Sequence, residues 1–174
     1  MEKRTGIVTF KGKPMTLLGE ELRAGEPAPD FTLTGADLAT VTREMVLDAG
    51  KRAAMLIAVP SLDTSVCSLE SQKFNRRLGE LPASLYVAVV SMDLPFAQAR
   101  WCAAQGDVQL QMLSDYRDRS FGVNYGLLIE ELGLLARAVV VIGKDSTISY
   151  LDIVTEVASE PDYDAALKAA AAAA

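Results

Sequence analysis

The residues best suited to chemistry in this chain are two cysteines, Cys67 and Cys102, in a sequence that contains no histidine. Cys67 closes the stretch Pro60-Ser61-Leu62-Asp63-Thr64-Ser65-Val66-Cys67, which leaves an apolar run at 53–59 and opens an amphipathic segment. A cysteine on the first turn of a helix meets free backbone N–H groups and the positive end of the helix dipole, and both favour thiolate over thiol. An ordinary thiol, with a pKa of about 8.5, is only a few per cent ionised at neutral pH, and lowering it to about 6 takes roughly 3.4 kcal/mol. A helix terminus supplies at most ~2 kcal/mol of this, so a cation or further donors to sulfur must contribute. Thr64, three residues before Cys67, brings a hydroxyl near the sulfur, and Pro60 fixes the entry of the turn and shields it from water.

The cation must come from elsewhere. Arg137 lies in Leu134-Leu135-Ala136-Arg137-Ala138-Val139-Val140-Val141, and an arginine in such surroundings is not buried without an anionic partner. Two readings stand: a boundary residue whose head reaches solvent, or a guanidinium that supports the Cys67 thiolate and then binds an oxyanion. Asp63 reads as the N-cap of the helix that carries Cys67. Cys102 lies 35 residues beyond Cys67. It is either a small buried hydrophobe beside Trp101 or the partner of Cys67. If the next helix starts near Pro95 at the same end of the sheet, Cys102 sits roughly 10 Å along it. A disulfide needs Cα atoms about 4.4–6.8 Å apart, so the pair bonds only after local unwinding around one or both cysteines.

These residues need a framework to hold them. The 174 residues suffice for one domain with a substantial core, expected over 1–174 with residues 1–20 as an N-terminal hairpin extension. The net charge of -6 and scattered basic residues argue against a nucleic-acid surface. The longest strictly apolar run is seven residues, far short of the roughly 20 that span a bilayer. No secretory h-region follows Lys3 and Arg4, so the cytoplasm is the expected compartment, where a structural disulfide is uncommon. Two cysteines without histidine cannot complete a tetrahedral zinc site.

Segments 5–10 and 13–17 around Lys11-Gly12 predict a hairpin, and 30–33 a short strand; 36–48 is ambiguous. Apolar runs at 53–59, 85–91 and 138–142 predict buried strands. Between them, Cys67, Phe74, Leu78 and Leu81 share one helical face, with Glu70, Lys73, Arg76, Arg77 and Glu80 on the polar part. Asp93-Leu94-Pro95 signals the next helix start. A short strand at 109–113, a helical turn at 121–125, a strand returning at 147–154 and a final helix after Pro161-Asp162-Tyr163 complete the chain. This order implies an α/β, thioredoxin-like fold, a central mixed sheet flanked by helices on both faces.

Several motifs together resemble the bacterial thiol peroxidases, which are atypical two-cysteine peroxiredoxins. They are Gly12-Lys13-Pro14, Pro60-Ser61-x-Asp63-Thr64-x-Val66-Cys67, the stretch Ser91-Met92-Asp93-Leu94-Pro95-Phe96-Ala97-Gln98-Ala99-Arg100-Trp101-Cys102, Leu135-Ala136-Arg137-Ala138-Val139 and Glu160-Pro161-Asp162-Tyr163. The resemblance covers almost the whole chain. It implies that Cys67 is the peroxidatic and Cys102 the resolving cysteine, with Thr64 and Arg137 at the other active-site positions. It further implies hydrogen peroxide and organic (alkyl or lipid) hydroperoxides as substrates, an intramolecular Cys67–Cys102 disulfide, thioredoxin as electron donor, a homodimer, and no metal, haem or flavin cofactor. Gln72 departs from the pattern, standing where an arginine is expected. Rival readings are a thiol–disulfide oxidoreductase, a single-cysteine peroxidase of the glutathione type and a redox sensor without turnover. The first lacks its Cys-x-x-Cys, because Thr64 occupies the position three before Cys67.

Overall fold

The computed structural model describes residues 1–48, 50 and 52–174. The chain opens with an antiparallel hairpin of β1 (Lys3–Phe10) and β2 (Lys13–Leu18). Its two-residue turn, Lys11 and Gly12, has positive φ at both positions (52° and 75°), the turn geometry that matches the twist of paired strands. The ambiguous stretch 36–48 resolves into structure. It follows β3 (Thr32–Thr34), adds β4 (Thr40–Thr42) and ends in a one-turn helix, α1 (Arg43–Leu47), capped by the Thr42 side chain. Three β–α passes follow: β5 (Ala54–Ala58), α2 (Ser65–Arg77), β6 (Tyr86–Ser91), α3 (Pro95–Gln105), β7 (Gln111–Ser114) and α4 (Ser120–Asn124). Two-residue strands β8 (Leu128–Ile129) and β9 (Leu134–Leu135) then lead into β10 (Ala138–Ile142), β11 (Ile148–Ile153) and the closing helix α5 (Tyr163–Ala173).

The main sheet has seven strands in the order β11-β10-β5-β6-β7-β3-β4. β5, β6 and β7 run parallel, whereas β10 is antiparallel to both β5 and β11, so the sheet is mixed as expected. Alternating residues of the central strands feed two separate cores. Met55, Ile57, Val89, Val139 and Val141 face Phe74 of α2, Trp101 of α3 and Leu167 of α5. Leu56, Val90 and Val140 face the other way, onto Phe31, Leu47, Phe121 and Tyr125. Each strand is therefore apolar on both sides, and the sheet carries helices on both faces. A second, four-stranded sheet, β1-β2-β8-β9, covers a smaller core of Val8, Met15, Leu17, Ile129, Ala136 and Val157.

α2 is shorter than the apolar spacing predicts. It ends at Arg77 and tightens into a 3₁₀ turn over Leu78–Glu80, although Leu78 and Leu81 still pack on the same core. Among the described residues no helix is long and apolar enough to cross a membrane.

Candidate active site

The register of the central strands brings the candidate residues to one end of the sheet. β10 pairs antiparallel with β5 so that Ala138 lies opposite Ala58. Arg137 therefore enters the sheet where β5 leaves it for Pro60 and the start of α2. β6 pairs parallel with β5, Val90 beside Ala58, so the connection that follows β6 also ends beside this turn.

Cys67 is the third residue of α2 and 1% exposed. The N-cap is Thr64, in an extended conformation, not Asp63. Asp63 points outward and pairs with Arg100 of α3 at 3.1 Å, both side chains well exposed. This corrects the expected cap, because the turn places Thr64, not Asp63, immediately ahead of the first helical residue. The Thr64 side chain makes no capping bond to the helix backbone. Its hydroxyl instead lies 2.7 Å from Cys67 Sγ and 2.9 Å from the Ser61 carbonyl oxygen. One hydroxyl has one proton. Opposite a thiol it accepts S–H and donates to the carbonyl; opposite a thiolate it donates to sulfur.

Arg137 does not reach solvent; it is 1% exposed and turned inward. Its three nitrogens divide the work. Nε donates to the Val157 carbonyl at 3.1 Å, one terminal nitrogen pairs with Glu70 Oε2, and the other reaches Cys67 Sγ at 3.3 Å. A buried guanidinium needs anionic or carbonyl partners on every side, and the planar fork can serve three acceptors at fixed angles. The sulfur of Cys67 thus has a hydroxyl and a cation as neighbours in a site sealed from water, where charge interactions are strongest.

Glu70 is the site residue that sequence reasoning missed. The sequence pattern puts it on the polar side of α2, yet it is fully buried together with Ser71. Two signals point to it. Positions 67, 70, 71 and 74 form one stripe of a helix at 3.6 residues per turn, and Arg137 requires an anion. Breaking such a buried pair by removing one partner costs about 3–5 kcal/mol. The Glu70–Arg137 pair therefore locks the guanidinium against Cys67.

Cys102, the eighth residue of α3, has a different setting. It is half-buried, packs against the same core as Cys67, and borders a cavity of about 630 Å³ lined by Val41, Met45, Tyr86, Leu110 and Met112. Burial pushes its thiol pKa up. Both cysteines are free. Trp101, next to Cys102, donates its indole N–H to Ser68 Oγ of α2 at 2.9 Å, and Gln72 donates to Gln105 Oε1 at 2.8 Å. The glutamine at position 72 thus ties α2 to the end of α3.

Residues 23–167 match the Redoxin family. The chain is 48% identical over 166 residues to a thiol peroxidase of Halalkalibacterium halodurans, covering 95% of this chain and 98% of that one. It is 47% identical over 163 residues to the thiol peroxidase of Streptococcus sanguinis, with 94% and 98% covered. A peroxiredoxin-like protein from Aquifex aeolicus superposes with a TM-score of 0.84 at 37% identity, over 97% of this chain and 96% of its own. The thiol peroxidase from Chromobacterium violaceum shares the fold at 22% identity, with a TM-score of 0.80 and 91% of each chain covered. A sheet that delivers a sealed cysteine, a threonine and a buried arginine to one point is thus found in a chain whose nearly full-length relatives are thiol peroxidases, and this chain belongs to the thiol peroxidases of the redoxin family.

Proposed function

We propose that this chain, as a thiol-dependent peroxidase, reduces hydrogen peroxide and organic hydroperoxides through Cys67, resolves through Cys102, and is recycled by thioredoxin. The observation that carries the reading is the Cys67 sulfur held at 2.7 Å from the Thr64 hydroxyl and 3.3 Å from the Arg137 guanidinium. In the first step the Cys67 thiolate attacks one peroxide oxygen, the O–O bond breaks, and the departing oxygen leaves as water or alcohol after taking a proton. Arg137 and the Thr64 hydroxyl stabilise the negative charge as it moves from sulfur to the leaving oxygen. Cys67 is then a sulfenic acid.

In the second step the Cys102 sulfur attacks that sulfenic sulfur. The S–S bond forms, the S–OH bond breaks, and the hydroxide leaves as water with the Cys102 proton. A dithiol reductant then restores both thiols by exchange. The half-buried Cys102, bordered by a cavity, supports this role: its thiol is not sealed as Cys67 is. The reading also takes the chain as one unit over 1–174 with residues 1–20 as a hairpin extension, as a homodimer, and as cytoplasmic.

The test couples hydroperoxide consumption to thioredoxin, its reductase and NADPH. Peroxide-dependent NADPH oxidation is expected, and its absence overturns the reading. Stoichiometric peroxide followed by non-reducing peptide mapping should recover a Cys67–Cys102 disulfide peptide; recovery of both thiols unchanged removes the two-cysteine cycle.

A further inference from the structure

Four segments of the chain meet at Asp93, in the connection between β6 and α3. Its Oδ1 accepts from the Ser61 hydroxyl at 2.7 Å, and its Oδ2 accepts from the Leu62 backbone N–H at 2.8 Å and the Ser91 hydroxyl at 2.9 Å. The Asp93 carbonyl accepts from the Ser114 hydroxyl of β7 at 2.5 Å. Gln98, buried on α3, donates to Ser91 Oγ at 3.1 Å and to the Leu113 carbonyl at 2.9 Å. One carboxylate therefore ties the turn ahead of Cys67 to the turn ahead of the helix that carries Cys102. Its effect passes onward through Ser61, whose carbonyl accepts from the Thr64 backbone N–H at 3.1 Å and lies 2.9 Å from the Thr64 hydroxyl. Thr64 in turn touches Cys67 Sγ.

We propose that Asp93 is a positioning residue with opposite effects on the two halves of the cycle. It holds the 61–64 turn so that Thr64 stays on the sulfur during peroxide attack. By the same bonds it restrains Cys67 from leaving Thr64 and Arg137 to meet Cys102. This rests on the roles given to Cys67 and Cys102 above. Hydrogen bonds to a charged group are stronger than those between neutral groups, and groups left unpaired on burial add to the loss. Removal of the Asp93 carboxylate frees the turn, so oxidation of Cys67 slows while formation of the disulfide accelerates. A residue that served only the stability of the fold would not move the two rates in opposite directions.

The test is single-turnover stopped-flow oxidation of the full chain by hydrogen peroxide. The reporter is Trp101, the one tryptophan, which sits beside Cys102 and bonds to α2. The first phase scales with peroxide and reads sulfenic acid formation; the second is independent of peroxide and reads the disulfide, each assigned by quenched mass analysis. Asp93→Ala should lower the first by about tenfold and raise the second severalfold. Asp93→Asn, whose carbonyl oxygen still accepts from Leu62, should fall between. Two unchanged rates, or two slower ones, overturn the proposal. If Asp93→Ala does not fold, Ser61→Ala decides: it removes the bond to Asp93, together with the one the hydroxyl accepts from the Asp63 N–H at 3.2 Å, and should shift both rates in the same two directions by about threefold. A wild-type chain without a peroxide-dependent phase overturns the functional reading as well, whereas an active wild type with unaffected variants overturns the role of Asp93 alone.

Discussion

The two cysteines share one apolar core but differ in what faces their sulfur. Cys67 is sealed at a helix start, with a hydroxyl and a guanidinium in contact. Cys102 lies in mid-helix, half-buried and beside a cavity, and burial pushes its pKa up. Burial alone opposes the thiolate, as it does at Cys102; at Cys67 a cation and a hydroxyl are fixed against the sulfur. The contrast suits a nucleophile that must be charged before it meets peroxide and a partner that gives up its proton only when it closes the disulfide.

The contrast breaks most completely at Cys67. Cys67→Ser should abolish peroxide consumption, and activity comparable to wild type would remove the assignment. Cys102→Ser should consume about one equivalent of peroxide per chain and then stall with thioredoxin; undiminished steady-state turnover would show that Cys102 does not resolve. Arg137→Ala sharpens the comparison by giving Cys67 a site without a cation. The rate constant for peroxide should fall about 10²-fold, and unfolding in denaturant should show a loss of about 3–5 kcal/mol, because Glu70 is left as an uncompensated buried charge. Arg137→Lys should not restore the rate, since one ammonium cannot serve the three directions of the guanidinium. Thr64→Val should cost about tenfold with little change in stability, and Thr64→Ser should keep most of the activity.

A last effect, on stability and not on rate, concerns a buried acid for which no ion pair is found among the described residues. Asp115 accepts from the Phe121 and Gly122 backbone N–H groups, and desolvation pushes its pKa up to about 6. Between the unfolded value near 4 and about 6 the folded state binds more protons than the unfolded chain. Its contribution is therefore fully present below that window and is lost as pH rises through about 6, by at most ~3 kcal/mol. Denaturant titrations across this range should show the slope, and Asp115→Asn should flatten it; an unchanged slope would assign it to other groups.

Much of the framework was legible because it is local. The continuous apolar runs at 53–59, 85–91 and 138–142 became β5, β6 and β10, since strands buried on both faces need no polar alternation. Lys11-Gly12 announced its hairpin. The two-residue strands β8 and β9 were not seen, being too short to show any period. Residue preference alone favours Asp63 as the cap, and the turn puts Thr64 there instead. Glu70 reads as solvated in the sequence because a lone carboxylate on a helix is almost always exposed; its pairing with Arg137 explains its burial.

What the sequence by itself determined was a cysteine three residues after a threonine on the first turn of a helix, because that spacing acts within a few bonds of the backbone. It left Arg137 between two readings, a head that reaches solvent and a buried guanidinium that needs an anion. Which anion, and that the same guanidinium touches a sulfur 70 residues away, was decided only by the tertiary structure. The antiparallel pairing of Ala138 with Ala58 brings the start of one strand to the end of another. Charges desolvated there have no water to answer them, and so must answer one another.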